Sequence, residues 1–148
     1  LVPWRDAKLH VLTHGLHYAS GVFEGERVYG KEIFKLTEHT ERLHQSAELL
    51  GFKIPFTVAE IDAACDQVVA ANNIVDGYVR PIAWRGSEMM GVSAQQNTIH
   101  LAIAAWEWPA YFSPEARMAN SAIPMRAAPI TRRSSEISRW SRSSGRRR

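Results

Sequence analysis

The sequence predicts an α+β fold, with two helices packed on one face of a mostly antiparallel sheet. Three observations predict it: a two-residue turn signal at Gly30-Lys31, two successive stretches of helical periodicity, and two apolar strand-like runs after them. The chain has 148 residues, enough for one domain with its own core.

In chain order, Val2 to Trp4 and His10 to Thr13 read as short extended pieces around a turn at Arg5-Asp6. Gly15, Gly21 and Gly25 then punctuate an aromatic and polar stretch. Phe23 to Tyr29 and Glu32 to Lys35 flank the turn as a hairpin, and glycine at its first position suits type II′. Thr37 reads as the cap of a helix running to about Leu50, with Leu43, Ala47 and Leu50 inward and Gly51 as the stop. Thr57-Val58-Ala59-Glu60 is a capping box. Ile61, Ala64, Cys65, Val68 and Val69 follow at helical spacing, and Asn72-Asn73 closes that helix. Tyr78 to Arg85 and Thr98 to Trp106 read as strands, the second as the central one, joined by a loop from Gly86 to Asn97.

Charge divides the chain. Residues 1–116 carry 9 basic and 14 acidic side chains, whereas residues 117–148 carry 9 arginines and the single acid Glu136. The basic balance of +3 therefore comes from the tail, and the mildly acidic body offers no nucleic-acid surface. The tail mixes serine with arginine and has no apolar periodicity, so it is expected to be disordered. One cysteine, Cys65, excludes an internal disulfide and points to a cytoplasmic setting. No apolar run approaches the roughly 20 residues of a membrane span.

Chemistry is harder to read from pattern. His10, His14 and His17 have metal-ligand spacing, but the glycine at 15 interrupts a helix there and no cysteine or carboxylate completes a set. There is no P-loop, dinucleotide fingerprint or nucleophile elbow. Arg42 shares a helix face with His39 and Ser46; pattern alone favours a solvated face over a phosphate grip. Arg27 and Arg80 lie in strands beside Tyr29 and Tyr78, on a wet face or in a carboxylate pocket, and pattern does not choose.

Five segments in order carry a resemblance: the stretch from Leu12 to Gly25, Glu38 to Leu43, Tyr78 to Pro81, Gly86 to Val92, and Ala104 to Tyr111. Together they resemble the branched-chain amino acid aminotransferases, pyridoxal-phosphate enzymes of fold type IV, over residues 1–116. The family's small N-terminal domain has the α+β layout derived above. The resemblance implies that Arg42 binds the cofactor phosphate. It places Tyr18, Phe23, Trp108 and Tyr111 around the substrate side chain, and Tyr78 and Arg80 on substrate carboxylates. Arg27 falls near the pocket, and Val92 and Tyr18 reach toward a partner subunit's pocket. It further implies leucine, isoleucine, valine, glutamate and 2-oxoglutarate as substrates, and a homo-oligomer with no nucleic-acid or membrane partner.

The resemblance also implies a lysine that joins the cofactor as a Schiff base. The run Arg126 to Thr131 resembles the segment before it, yet the expected slot falls near Ile137. Lys8, Lys31, Lys35 and Lys53 do not fit, so no catalytic residue is assigned. The expectation is an N-terminal portion, residues 1–116, without its large domain, inactive alone, passing through 117–148 into a tail that a shifted reading frame would produce. A regulatory tail is the alternative. Glu26, where the family has an apolar residue, and Pro109, where glycine is common, are expected to reshape the pocket. The competing functions are a D-amino acid aminotransferase, an aminodeoxychorismate lyase, or a nucleic-acid-binding module using the arginine tail.

Overall fold

The structure, a computed structural model, describes residues 1–108. Tyr111, Pro109, the slot at Ile137, the boundary at 116 and the tail 117–148 all lie outside the described residues. The elements are α1 (His14–Tyr18), β1 (Gly21–Phe23), β2 (Glu26–Tyr29), β3 (Glu32–Ile33), α2 (Leu36–Leu49), α3 (Val58–Ala71), β4 (Gly77–Arg85) and β5 (Ile99–Glu107).

β4 organises the sheet. β5 pairs along one edge of it from Gly77↔Glu107 to Arg85↔Ile99. Its other edge is shared by β1, opposite Ile82 to Trp84, and β2, opposite Gly77 to Val79; β3 extends the sheet beyond β2. Among the described residues every pairing is antiparallel, in line with the mostly antiparallel sheet that the sequence predicts. A proline in the middle of a central strand ordinarily loses a ladder bond. Here Pro81 O accepts from Glu24 N (3.0 Å). In a strand, a residue's N and O point to the same edge. The missing donor of Pro81 therefore faces the break between β1 and β2, where it interrupts no ladder bond.

The sequence reading of β5 as the central strand is corrected: among the described residues it pairs with β4 alone. Its apolar run misleads because Ile99, Leu101 and Ile103 are half-buried against the helical layer, while Ala102 and Ala104 are small residues on an exposed face. The N-terminal pieces expected as extended are turns and irregular chain. The hairpin turn is also corrected. Both Gly30 (φ 57°) and Lys31 (φ 75°) are left-handed, which defines type I′ and matches the strand twist.

Helix ends follow local chemistry. Thr37 does not cap α2: the N-cap is Lys35 in a left-handed conformation, and Thr37 Oγ1 donates to Asp62 Oδ2 on α3 (2.8 Å). Leu50, expected inside, is 43% exposed because it falls at the C-cap, where the chain leaves the helix face. Gly51 (φ 78°) then closes the helix, with Gly51 N donating to Glu48 O and Phe52 N to Ala47 O. Asn73 (φ 53°) plays the same part after α3, through bonds from Asn73 N to Ala70 O and Ile74 N to Val69 O. The capping box forms in full: Glu60 N donates to Thr57 Oγ1 (3.3 Å) and Thr57 N to Glu60 Oε2 (2.7 Å).

The core lies between the helices and one sheet face. Leu43 and Ala47 from α2, Ile61 and Cys65 from α3, and Val28 and Val79 from the sheet are almost completely buried. β4 alternates buried and half-buried side chains along its length. Val79 and Ala83 join the core, and Tyr78, Arg80, Ile82 and Trp84 point to the opposite, open face. That open face positions the site.

Candidate active site

Register builds the site. Arg27 stands opposite Tyr78, Phe23 opposite Ile82, and Trp106 opposite Tyr78 on the other edge of β4. Paired residues share a sheet face, so the open-face set gathers as one aromatic and cationic cluster, half-buried except for the exposed Phe23. The Arg80 guanidinium lies 4.7 Å from the Phe23 ring centroid, 5.3 Å from Tyr78 and 5.8 Å from Trp106. The Tyr78 ring sits 5.1 Å from Trp106 and 5.3 Å from Trp108. Arg80 Nη2 donates to Tyr78 Oη (3.2 Å), and Arg27 Nη2 donates to Trp108 O (3.4 Å). Two donors in this cluster, Arg27 Nη1 and Arg80 Nε, are buried without a hydrogen-bond partner among the described residues. Buried guanidinium donors are costly to leave unpaired, which suits them to an anionic ligand.

Arg42 is placed separately, on α2. It grips Glu24 through Nε (2.7 Å to Oε1) and Nη2 (2.6 Å to Oε2). His39 Nδ1 donates to the same Glu24 Oε2 (2.9 Å). The Arg42 side chain remains 60% exposed, and Nη1 has no bond among the described residues. Burial on its own raises the Glu24 pKa, but the hydrogen bonds and charges of Arg42 and His39 outweigh it and hold the carboxyl below its ordinary range. Glu24 sits between Phe23 and Gly25, and a Cβ on Gly25 would run into Tyr78 Oη. The β1–β2 link thus joins the Arg42 pair to the aromatic cluster within three residues.

Tyr18 and Val92 form a third group. Tyr18 Oη donates to Met90 O (3.1 Å) and its ring stacks on His14 at 4.5 Å. His14 Nε2 donates to Gly91 O (3.0 Å), so its Nδ1 accepts from Ser20 Oγ (2.6 Å). These bonds dock the 86–97 loop on α1 and leave Val92 85% exposed at its tip. His10 and His17 are likewise engaged with backbone groups, and among the described residues no side-chain group could hold a metal ion. Between this group and the cluster lies a cavity of about 650 Å³, lined in part by Leu9, Phe23, Trp84, His100 and Ala102.

Glu26 is corrected. It was expected to reshape the pocket, but it stands opposite Val79 and is fully buried on the helix side of the sheet. Sequence reasoning missed Glu24 as the anchor of Arg42, and Trp106 as a wall of the cluster. It also missed Arg85, which is buried and donates to Ala94 O (2.8 Å) and Gly51 O (2.7 Å), pinning the 86–97 loop to the end of α2. The alternation of β4 and β5 contained the signal for Trp106; Glu24 and Arg85 gave none, since their partners are distant in sequence.

The family model for amino-transferase class IV matches residues 21–137. The chain belongs to the class IV aminotransferases. It is 45% identical to a branched-chain-amino-acid aminotransferase of Pseudomonas aeruginosa over 142 residues, which is 93% of this chain and 46% of that protein. The Escherichia coli branched-chain amino acid aminotransferase superposes with a TM-score of 0.72 at 39% identity, covering 78% of this chain and 40% of that one. A T.th. branched-chain amino acid aminotransferase was solved with 4-methylvaleric acid and with N-(5′-phosphopyridoxyl)-L-glutamate, both at 42% identity. Their TM-scores are 0.70 and 0.71, covering 72% and 75% of this chain and 38% of those chains. The chain thus spans less than half the length of these relatives. The α+β architecture is that of the family. Among the described residues no helix is long and apolar enough to cross a membrane.

Proposed function

We propose that this chain is the small-domain portion, residues 1–116, of a cytoplasmic branched-chain amino acid aminotransferase that exchanges the amino group between leucine, isoleucine or valine and 2-oxoglutarate. The observation that carries the reading is the pair of orphaned guanidinium donors, Arg27 Nη1 and Arg80 Nε, inside an aromatic cluster. Phe23 touches Arg80 and also lines the apolar cavity. An amino acid with an apolar side chain has the same two ends, and a second carboxylate, as in glutamate, pairs with the remaining arginine. The ligands named for the two T.th. structures, an apolar acid and a phosphopyridoxyl-glutamate, have the chemistry this reading requires.

Pyridoxal phosphate, when bound, supplies the electron sink for transamination. Arg42 fits its phosphate, because Glu24 fixes the guanidinium plane while Nη1 and the exposed edge stay available. Tyr78, Arg80 and Arg27 hold substrate carboxylates, and Phe23, Trp108 and Tyr111 exclude water from the side chain. Tyr18 and the loop tip at Val92 serve a pocket shared with a second copy of the protein. The four lysines are all solvent-exposed, and we read the 148 residues as catalytically incompetent by themselves.

Titrating N-(5′-phosphopyridoxyl)-L-glutamate into the 148-residue chain, with tryptophan fluorescence from Trp106 and Trp108 as signal, tests the site. Saturable quenching is expected. Arg42→Ala and Arg80→Ala should each weaken it at least tenfold, in line with about 1.5–3 kcal/mol for a charged hydrogen bond. Absence of saturation, or variants that bind as wild type, would overturn the reading. A borohydride-fixed pyridoxal adduct at one defined lysine would separately overturn the incompetence.

A further inference from the structure

Glu26 has no part in the site, yet it is the most anomalous side chain among the described residues. It is 0% exposed, and neither carboxyl oxygen has a hydrogen-bond partner. Its strand position puts it level with Val79 and two residues before Val28, both fully buried core residues. A carboxylate in such a place is strongly disfavoured unless it is paired. Among the described residues no pairing is on offer. From the β1–β2 link it faces Glu24, and from α3 it faces Asp62 and Cys65, with Asp66 beyond them. On α2 the side chains of His39 and Arg42 are both held by Glu24, and among the described residues His44, whose Nε2 is buried without a partner, forms no ion pair with it. β4 contributes only Val79 at this level. Asp62 accepts from Thr37 and Thr40 of α2 and so ties the two helices together beside Glu26.

We propose that Glu26 is a pH-sensitive strut in the fold: uncharged, it completes the packing of β2 against α2 and α3, and losing its proton to water forces that packing apart. The segment it would loosen is the strand that carries Arg27, joined to the link that carries Glu24, so the device sits directly beneath the site. It stands whether or not the proposed function is correct.

Burial first, then the charges of Glu24 and Asp62, push the Glu26 carboxyl up to about 8. An unfolded chain releases this proton near the ordinary value of 4.5. Between those two values the unfolded state has lost the proton and the folded state keeps it. Folding is therefore progressively disfavoured as pH rises through that window; above it the full penalty remains and no longer changes with pH. At full effect the folding constant drops about tenfold per pH unit.

The test is urea unfolding of the 148-residue chain at pH 5.5, 7, 8.5 and 9.5, as wild type, Glu26→Gln and Glu26→Leu, with a ¹³C titration of the Glu26 carboxyl in wild type. The wild-type midpoint should fall steadily to pH 8.5 and then level off. Both variants should be markedly flatter over that range, and the carboxyl should titrate well above 4.5. Parallel slopes in wild type and either folded variant would overturn the proposal, as would a Glu26 carboxyl titrating at its ordinary value. If neither variant folds, the carboxyl titration alone decides.

Discussion

At Gly25 a single hydrogen atom allows Tyr78 to lie against the backbone of the β1–β2 link. A Cβ there would overlap Tyr78 Oη and stand 2.7 Å from Cζ. The ring has little freedom to retreat, because Trp106 and Trp108 pack on it and Arg80 Nη2 donates to its hydroxyl. Gly25→Ala must therefore rotate Tyr78 out of the cluster, disturbing the Arg80 contacts more than the core, which lies on the other sheet face. The near-UV circular dichroism of the tryptophans should change, and affinity for N-(5′-phosphopyridoxyl)-L-glutamate should drop about tenfold or more, equivalent to about 1.4 kcal/mol. A variant with an unchanged aromatic spectrum and wild-type affinity would show that Tyr78 has no fixed role.

The secondary elements separate what neighbouring residues can specify from what they cannot. The capping box at Thr57 and the stops at Gly51 and Asn73 depend on residues within one turn, and the sequence reads them correctly. Thr37 looked like an equal cap but is drawn to Asp62, 25 residues away, because packing α2 against α3 brings a carboxylate within reach of its hydroxyl. The same limit explains the misplaced β5: an apolar run reports small and half-buried residues alike, and only pairing decides which strand is central. Of the candidate site, the resemblance alone singled out Phe23, Tyr78, Arg80 and Trp108, which lie together in the structure, whereas Glu24 as the partner of Arg42 was not legible. Local specification can be measured at Thr57. Thr57→Ala removes the acceptor for Glu60 N and the hydroxyl donor to Glu60 Oε2, and should cost about 1 kcal/mol. In thermal unfolding this is a loss of a few degrees with ligand affinity unchanged; no shift at all would mean that the end of α3 is held by packing rather than by its cap.

At the scale of the whole molecule, carboxylates in opposite environments confine stability from both sides. Glu26 acts toward alkaline pH; Glu24 acts toward acid. With its side chain 7% exposed and gripped by Arg42 and His39, Glu24 is held below the ordinary 4.5. A depressed folded value stabilises the chain above 4.5, and that contribution is lost as pH falls through the folded value, because the unfolded chain takes up the proton first. Glu38, Glu60 and Glu88 are also held low by hydrogen bonds, but all three are open to solvent and screened, so they weigh less. Stability should therefore peak between the two limbs, on the acid side of neutrality. Glu24→Gln should lower the midpoint near pH 6, where it breaks the Arg42 grip, and flatten the decline between pH 4.5 and 3. Urea unfolding across that range, repeated in 0.5 M salt, separates the sources: salt suppresses the part due to exposed carboxylates and spares the part due to Glu24. An acid limb equally steep in Glu24→Gln and wild type would mean that the Glu24–Arg42 pair contributes nothing to holding α2 on the sheet. The phosphate grip proposed for Arg42 would then lack its fixed support.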